Sequence, residues 1–339
     1  MNSRMLERKS NMKRIAMVGY FGWGNFGDEL FLEAHKQHLG RDYELVVAND
    51  LLAAPYFSKP VAKLVEDFDG VLIGGGDLLN PLRVSDLYWD VAWLNKPTFI
   101  YGLGVPRASF RRENVIAQYK KFVQHENCKL IVARDVESYE WIRENLEPGD
   151  KLKWYPDPVC ALDRPAATPP KEKTLGVVMR EHRSLDQDMS HVRKLIDEAK
   201  AMDYKIKHLV LATKSLGEGD LKRAQIIAKD DEQIVHSESL SELCAAISSV
   251  SALATIKFHG LVVATMYGVP SVAMSVTPKN RNFLRMIERP EMLVSYTDPN
   301  LYKHLSHYPA RIHQRVRGGL YREAREGYRV LKETIAQHI

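Results

Sequence analysis

The chain has 339 residues, 45% of them hydrophobic and 27% charged, with a formal net charge of +5. That length exceeds what one core usually serves, and the composition is that of an ordinary globular protein with apolar material for two. The charge is too mild and scattered for a dedicated nucleic-acid stripe, and no stretch of about 18 apolar residues offers a membrane span.

The three cysteines, Cys128, Cys160 and Cys244, lie far apart without a CxxC pair. They argue for a reducing compartment and against a zinc site, so no metal is expected. The opening MNSRMLERKSN is polar and lacks the apolar run of a secretory signal. The expected address is cytoplasmic, and the mild basicity permits peripheral contact with the inner face of a membrane.

In chain order, KRIAMVGY predicts a buried strand and DELFLEAHKQHL an amphipathic helix. YELVVAN, a helical SKPVAKLVEDF, the strand GVLIGGG and a helical RVSDLYWDVAWL come next. PTFIYGLG, RRENVIAQYKKFVQ, KLIVARD and VESYEWIRENL complete the first half. Short β-rich runs alternating with helical patterns indicate parallel βαβ units. Pro156 to Glu172 breaks the rhythm with prolines and little periodicity, as a linker does.

The alternation then resumes through KTLGVVMR, DMSHVRKLIDEAKAM, KIKHLVLAT, LKRAQIIAKD and EQIVHS. LSELCAAISSV, SALATIKF, GLVVATMYG and PSVAMS follow. The expected fold is α/β, two doubly wound Rossmann-like domains facing a cleft. Residues 1–155 form the N-terminal domain on the acceptor side, 156–172 the linker, and 173–308 the C-terminal domain on the donor side. Residues 309–339 form a polar helix long enough to cross back to the first domain. In such sheets ligands bind at the carboxyl ends of strands.

Candidate residues stand just there. GYFGWGNFGDE, Gly19 to Glu29, follows a strand and opens a helix. It spells neither GxGxxG nor a Walker loop. Its bare backbone either admits a ligand near Asn25, Gly27 and Asp28, or makes a tight turn capped by Asn25 and Asp28. Gly74, Gly75 and Gly76 end a second strand and deliver Asp77, as a ligand-facing carboxylate or as a helix cap. Arg134 and Arg180 end two further strands, where a guanidinium can grip a carboxylate or phosphate.

ALATIKFHG reads as a strand placing Lys257 and His259 on one side, two residues apart, before a helix opening at Gly260. A histidine there suits general acid–base work. Lys279 and Arg281 follow the next strand. Arg180, Lys257, Lys279 and Arg281 together fit a small, multiply charged anion.

This ordered set resembles the polysaccharide pyruvyl transferase family. The matching features are Gly19–Glu29, Gly74–Gly76, Arg134–Ser138, Arg180, Lys257–Gly260 and Gly268–Pro270, within a resemblance running over roughly residues 13 to 300. The resemblance implies a glycosyltransferase-B-like fold. It also implies transfer of a pyruvyl group from phosphoenolpyruvate to a sugar of a cell-envelope polysaccharide or exopolysaccharide, usually as a cyclic ketal. Phosphoenolpyruvate is then a co-substrate and no further cofactor is implied. The expected partner is a saccharide acceptor, free or lipid-linked, with no nucleic acid.

One departure is Lys257, where the family usually has arginine. Lysine keeps the charge and loses the planar two-point grip, which shifts weight to Arg180. In this reading His259 delivers a proton to the donor's methylene carbon, and Arg180, Lys257, Lys279, Arg134 and Arg281 hold the donor. Asp77, aided by Asp28, orients or deprotonates acceptor hydroxyls, with the sugar against Asn25, Gly27, Asp28, Gly75 and Gly76. Two other readings stay open. One is a nucleotide-sugar glycosyltransferase of the same architecture, with Glu238 or Glu242 gripping a ribose. The other is a non-catalytic saccharide-binding relative.

Overall fold

The computed structural model describes residues 12–106, 110–181, 188–307 and 311–339. The polar leader (residues 1–11), residues 182–184 after Arg180, and 309–310 at the start of the last helical pattern lie outside the described residues. The chain divides into two compact units. One contains the described residues up to Gly22, with Leu30–Leu162 and Arg322–Ile339; the other contains Trp23–Glu29 and Asp163–Tyr321.

In the first unit the elements are β1 (Arg14–Val18), α1 (Phe26–Leu39), β2 (Glu44–Val47), α2 (Val61–Leu64), β3 (Gly70–Ile73), β4 (Thr98–Leu103), α3 (Glu113–Gln124), β5 (Cys128–Ala133), α4 (Val136–Leu146) and β6 (Leu152–Trp154). The parallel strands pair in the order β2-β1-β3-β4-β5-β6. Strands β3 and β4 are buried along their whole length, as continuous apolar runs covered on both faces must be. The order reverses between β1 and β3, where Val18 pairs with Ile73. Gly19 and Gly74 therefore leave the sheet at one level, at its topological switch point.

One expectation fails here, and one strand is unforeseen. Arg83–Leu94 forms turns instead of a helix, leading into a 3₁₀ segment at Val91–Asn95 capped by Asp90. The buried Trp89 donates its indole N–H to the Leu78 carbonyl at 3.0 Å and sets its ring edge-on to Tyr119, so tertiary anchoring overrides the local period. Strand β6 has three residues and no apolar run, which leaves no periodicity to read.

The last part of the chain supplies the remaining wall. Within α11 (Gln314–His338; the intervening helices are given below), Ala324, Tyr328, Leu331 and Ile335 are buried at helical spacing. The Tyr328 hydroxyl hydrogen-bonds Nδ1 of His35 at 3.0 Å, and His38 stacks on the Tyr328 ring.

The second unit contains β7 (Thr174–Val178), α5 (Ser190–Ala201), β8 (Lys205–Leu209), α6 (Lys214–Ile227), β9 (Gln233–Val235), α7 (Leu240–Ser248), β10 (Ala252–Thr255), α8 (Phe258–Tyr267), β11 (Ser271–Ala273), α9 (Pro278–Met286) and α10 (Lys303–His307). Its parallel strands pair in the order β11-β10-β7-β8-β9, with the switch point between β7 and β10. Leu175, Val177, Leu195, Ile196, Ile206 and Ala254 are among its core residues. Arg180 and Lys257 thus emerge side by side beyond Val178 and Thr255, which pair with each other.

Candidate functional site

Strand β10 stops at Thr255, three residues earlier than the Phe258 the sequence suggests (258 − 255). Thr255 Oγ1 accepts the Lys257 backbone N–H at 3.0 Å and donates to the Lys257 carbonyl at 3.1 Å, turning the chain into α8. Lys257 is the residue before the helix and His259 its second residue. The alternation that would place both side chains on one strand face therefore does not apply, and the two diverge.

The Lys257 ammonium turns inward. It donates to the Leu211 carbonyl at 2.7 Å and forms an ion pair with Asp220 on α6. Burial lowers its pKa, opposed by the Asp220 carboxylate and reinforced by the charge of Arg180. The other Asp220 oxygen accepts the Glu181 backbone N–H at 2.7 Å. Asp220 thereby ties the stretch leaving β7 to the stretch leaving β10, with the Lys257 ammonium held between Asp220 and Leu211.

The sequence reading missed Asp220. Its signal was Gly217 and Gly219, two glycines inside a helix, where they cost stability unless packing requires them. A Cβ at Gly219 would collide with the Glu181 carboxylate.

His259 is half-buried and lies against the loop after β1. A side chain at Gly27 would collide with its Nδ1. Gly24 has φ +93°, its carbonyl accepts the Thr213 N–H at 2.9 Å, and Asn25 bridges to Ala212. These contacts group Trp23–Glu29 with the second unit. Of the two readings of the loop, the cap has a physical counterpart at Asn25, and the space at Gly27 is taken by a side chain of the protein itself. Asn25 caps α1 by accepting the Gly27 N–H at 3.1 Å, and the approach that bare backbone permits at Gly27 is that of the imidazole. Asp28 stands half-buried one residue on.

Phe258 packs beside His259, ring centroids 4.8 Å apart, and the Lys279 ammonium stands 5.9 Å from the same Phe258 ring. Lys279 and Arg281 lie in the first turn of α9, capped by Thr277, and Arg180 and Arg281 are exposed. His259, Arg180, Lys257, Lys279 and Arg281 thus belong to the same unit as Asn25, Gly27 and Asp28.

The first unit holds the rest. Arg134, with only 2% of its side chain exposed, is ion-paired with Asp77, and its guanidinium lies 3.9 Å from Asp157 and 4.0 Å from Asp135. Gly104 makes room for it, since a Cβ there would stand 2.6 Å from Nη2. Arg134 is thus committed to carboxylates of its own unit. Asp77, at 29% exposed, keeps an edge in solvent while the guanidinium orients it. Gly75 packs against the Phe31 ring, and Gly76 exchanges backbone hydrogen bonds with Gly102 and Gly104.

Glu238 accepts the Lys214 backbone N–H, and Glu242 accepts the Ser237 hydroxyl at 2.6 Å. Cys128, Cys160 and Cys244 are buried thiols. Among the described residues no group of three or more His, Cys, Asp or Glu could hold a metal, and no helix is long and apolar enough to cross a membrane.

Among solved structures the chain is similar to a UDP-N-acetylglucosamine 2-epimerase from Rickettsia bellii (TM-score 0.62, 11% identity, 97% of each chain covered). It is also similar to the UDP-GlcNAc 2-epimerase from Neisseria meningitidis bound to UDP-GlcNAc (0.53, 11%, covering 96% of this chain and 100% of that one). A third is the glycotransferase of kitacinnamycin (0.50, 12%, 96% and 99%). At such identities the likeness shows the fold alone, and the fold is glycosyltransferase-B-like. No curated protein matches the sequence. The family model described as polysaccharide pyruvyl transferase matches residues 25–278. The chain belongs to that family, which indicates a pyruvyltransferase with a saccharide acceptor.

Proposed function

We propose that this protein moves the pyruvyl group of phosphoenolpyruvate onto two hydroxyls of one sugar in a polysaccharide or its lipid-linked precursor, forming a cyclic ketal and releasing phosphate. The observation that carries this reading is the placement of His259. It stands in the first turn of α8, its imidazole against the bare Gly27 backbone, in the unit that also presents Arg180, Lys279 and Arg281.

In the reaction, His259 gives a proton to the methylene carbon of the enol, and a sugar hydroxyl adds to the adjacent carbon with loss of its own proton. Phosphate departs with the C–O electron pair, and a second hydroxyl of the same sugar closes the ring, also losing its proton. Arg180, Lys279 and Arg281 counter the donor's carboxylate and phosphate. Lys257 and Asp220 hold the strand ends that carry Arg180. Asp77, aligned by Arg134, is the acceptor-side carboxylate.

Phosphate release from phosphoenolpyruvate with a saccharide acceptor tests this directly. His259→Ala should lose on the order of 10²–10⁴-fold in rate while still binding the donor. A fully active variant would overturn the role given to His259. Since solved neighbours of the fold act on UDP-GlcNAc, the same protein should be heated with a nucleotide sugar and with phosphoenolpyruvate. Thermal protection by the nucleotide sugar alone would favour a glycosyltransferase.

A further inference from the structure

Strand β6 is the last of its sheet, and α4 packs beside it. Between them opens a cleft of about 420 Å³, lined by Val136, Tyr139 and Glu140 of α4 and by Leu152, Lys153 and Trp154 of β6. That volume lies in the range of small-ligand sites, roughly 300–1,000 Å³. Leu152 and Trp154 stand on one face of the strand, two residues apart.

Val136 is exposed and Trp154 half-buried. The indole N–H of Trp154 is buried and meets no acceptor among the described residues, so the part of the ring that reaches solvent is carbon. Charge stands at the border of the cleft. Lys153 is exposed, and Arg143 pairs with Glu140 while its guanidinium lies 6.0 Å from the Tyr139 ring centroid.

Trp154 also brings the cleft to the sheet edge that carries Asp77. Gly76 bridges to Leu103, Leu103 pairs with Ala133, and Ala133 pairs with Trp154, a single row across the carboxyl edge of the sheet. Three strand spacings, about 14 Å, separate the ends of that row. Asp77 follows Gly76 and Arg134 follows Ala133, so their ion pair already spans two of the three.

A small apolar floor bordered by charges suits a sugar ring, whose C–H face is apolar and whose hydroxyls seek polar partners. A docked helix needs anchors over more than two turns, and a three-residue edge strand is too short a template for an added strand.

We propose, resting on the acceptor-side role given to Asp77, that the cleft between α4 and β6 is a saccharide subsite. It holds one ring of an oligosaccharide acceptor against Trp154 and Tyr139 while another ring of the same chain reaches Asp77. A single sugar cannot fill both positions.

Binding is read on the full chain without donor, by titration calorimetry with hexamers of glucose, mannose, galactose and N-acetylglucosamine at millimolar concentration, and with the matching monosaccharides. At least one hexamer should bind, and its monosaccharide should bind at least roughly tenfold more weakly. Trp154→Ala should weaken the hexamer roughly tenfold, the scale of a lost aromatic contact. Val136→Asp should weaken it as well. Val136 is exposed at a helix start, so that variant stays informative if Trp154→Ala loosens β6, which thermal unfolding would report. Leu52→Ala, an exposed apolar side chain beyond the opposite edge strand β2, should change binding less than about twofold. Phosphate release that fails with every saccharide, while hexamer binding still depends on Trp154, would remove the transfer reaction and leave the subsite. If no hexamer binds, if Trp154→Ala and Val136→Asp both bind as wild type does, or if Leu52→Ala weakens binding equally, the subsite does not exist. A wild-type dimer that Val136→Asp dissolves, with no hexamer bound, would make the cleft a contact between copies and overturn the proposal.

Discussion

Gly27 and His259 lie 232 positions apart in the sequence (259 − 27) and touch in the fold, the one needing no side chain so that the other can take its place. Gly27→Ala should therefore displace the imidazole and lower phosphate release by about 10²-fold or more, approaching the loss of His259→Ala. Thermal unfolding of the variant separates this from a general loss of structure. A near-wild-type rate in a folded Gly27→Ala protein would mean that the imidazole works from another position.

His35 offers a second residue-scale test. It is fully buried, and burial first, then His38, lowers its pKa to about 3. Between about pH 6.5 and 3 the unfolded chain holds a proton at this position that the folded chain does not. Stability is thus complete above pH 6.5 and falls with acidification, by about 1.4 kcal/mol per pH unit from this group. Denaturant titrations at pH 7.5 and 5 should show the fall in wild type and a shallower one in His35→Gln. Equal slopes would assign the acid sensitivity elsewhere.

Among elements, α6 begins at Lys214 and so carries Asp220, whereas the sequence reading starts this helix only at Leu221. The carboxylate is 6% exposed and the Lys257 side chain 18%. Removing one partner strands the other charge, so Lys257→Met or Asp220→Asn should cost about 3–5 kcal/mol. The double variant Lys257→Met/Asp220→Asn should cost less than the two single losses added together. In folded variants the donor KM should rise more than kcat falls, because the pair positions the strand end bearing Arg180 and does not touch the reacting atoms. A purely additive double variant with unchanged KM would remove that positioning role. What Leu211 and Asp220 hold is the compact ammonium of Lys257, a point charge without the planar fork of a guanidinium.

For the whole molecule, the end of α11 is a wall of the first unit. Tyr328 is 2% exposed, and Leu331 and Ile335 are fully buried. Leu331→Ala should destabilise by about 2–5 kcal/mol, read from denaturant midpoints. Deleting residues 322–339 should leave the first unit insoluble, which expression and solubility assays would show. A soluble, cooperatively folding truncation would mean that this unit's core closes without the helix.

The sequence alone determined the alternation of strands and helices, because fully buried parallel strands must be continuous apolar runs and covering helices must be amphipathic. It also determined that glycines and cations stand at strand ends, since adjacency in the chain places them there. The ordered motifs were enough to place the family. Only the tertiary structure decided which of those residues meet. It turned Lys257 inward to Asp220 and paired Arg134 with Asp77. It also set the imidazole of His259 against Gly27 and anchored Arg83–Leu94 through aromatic side chains instead of a helix. Periodicity is a local property, readable from neighbours in the chain, whereas the partner of a charge or of a bare backbone is whatever the packed interior brings within a few ångströms.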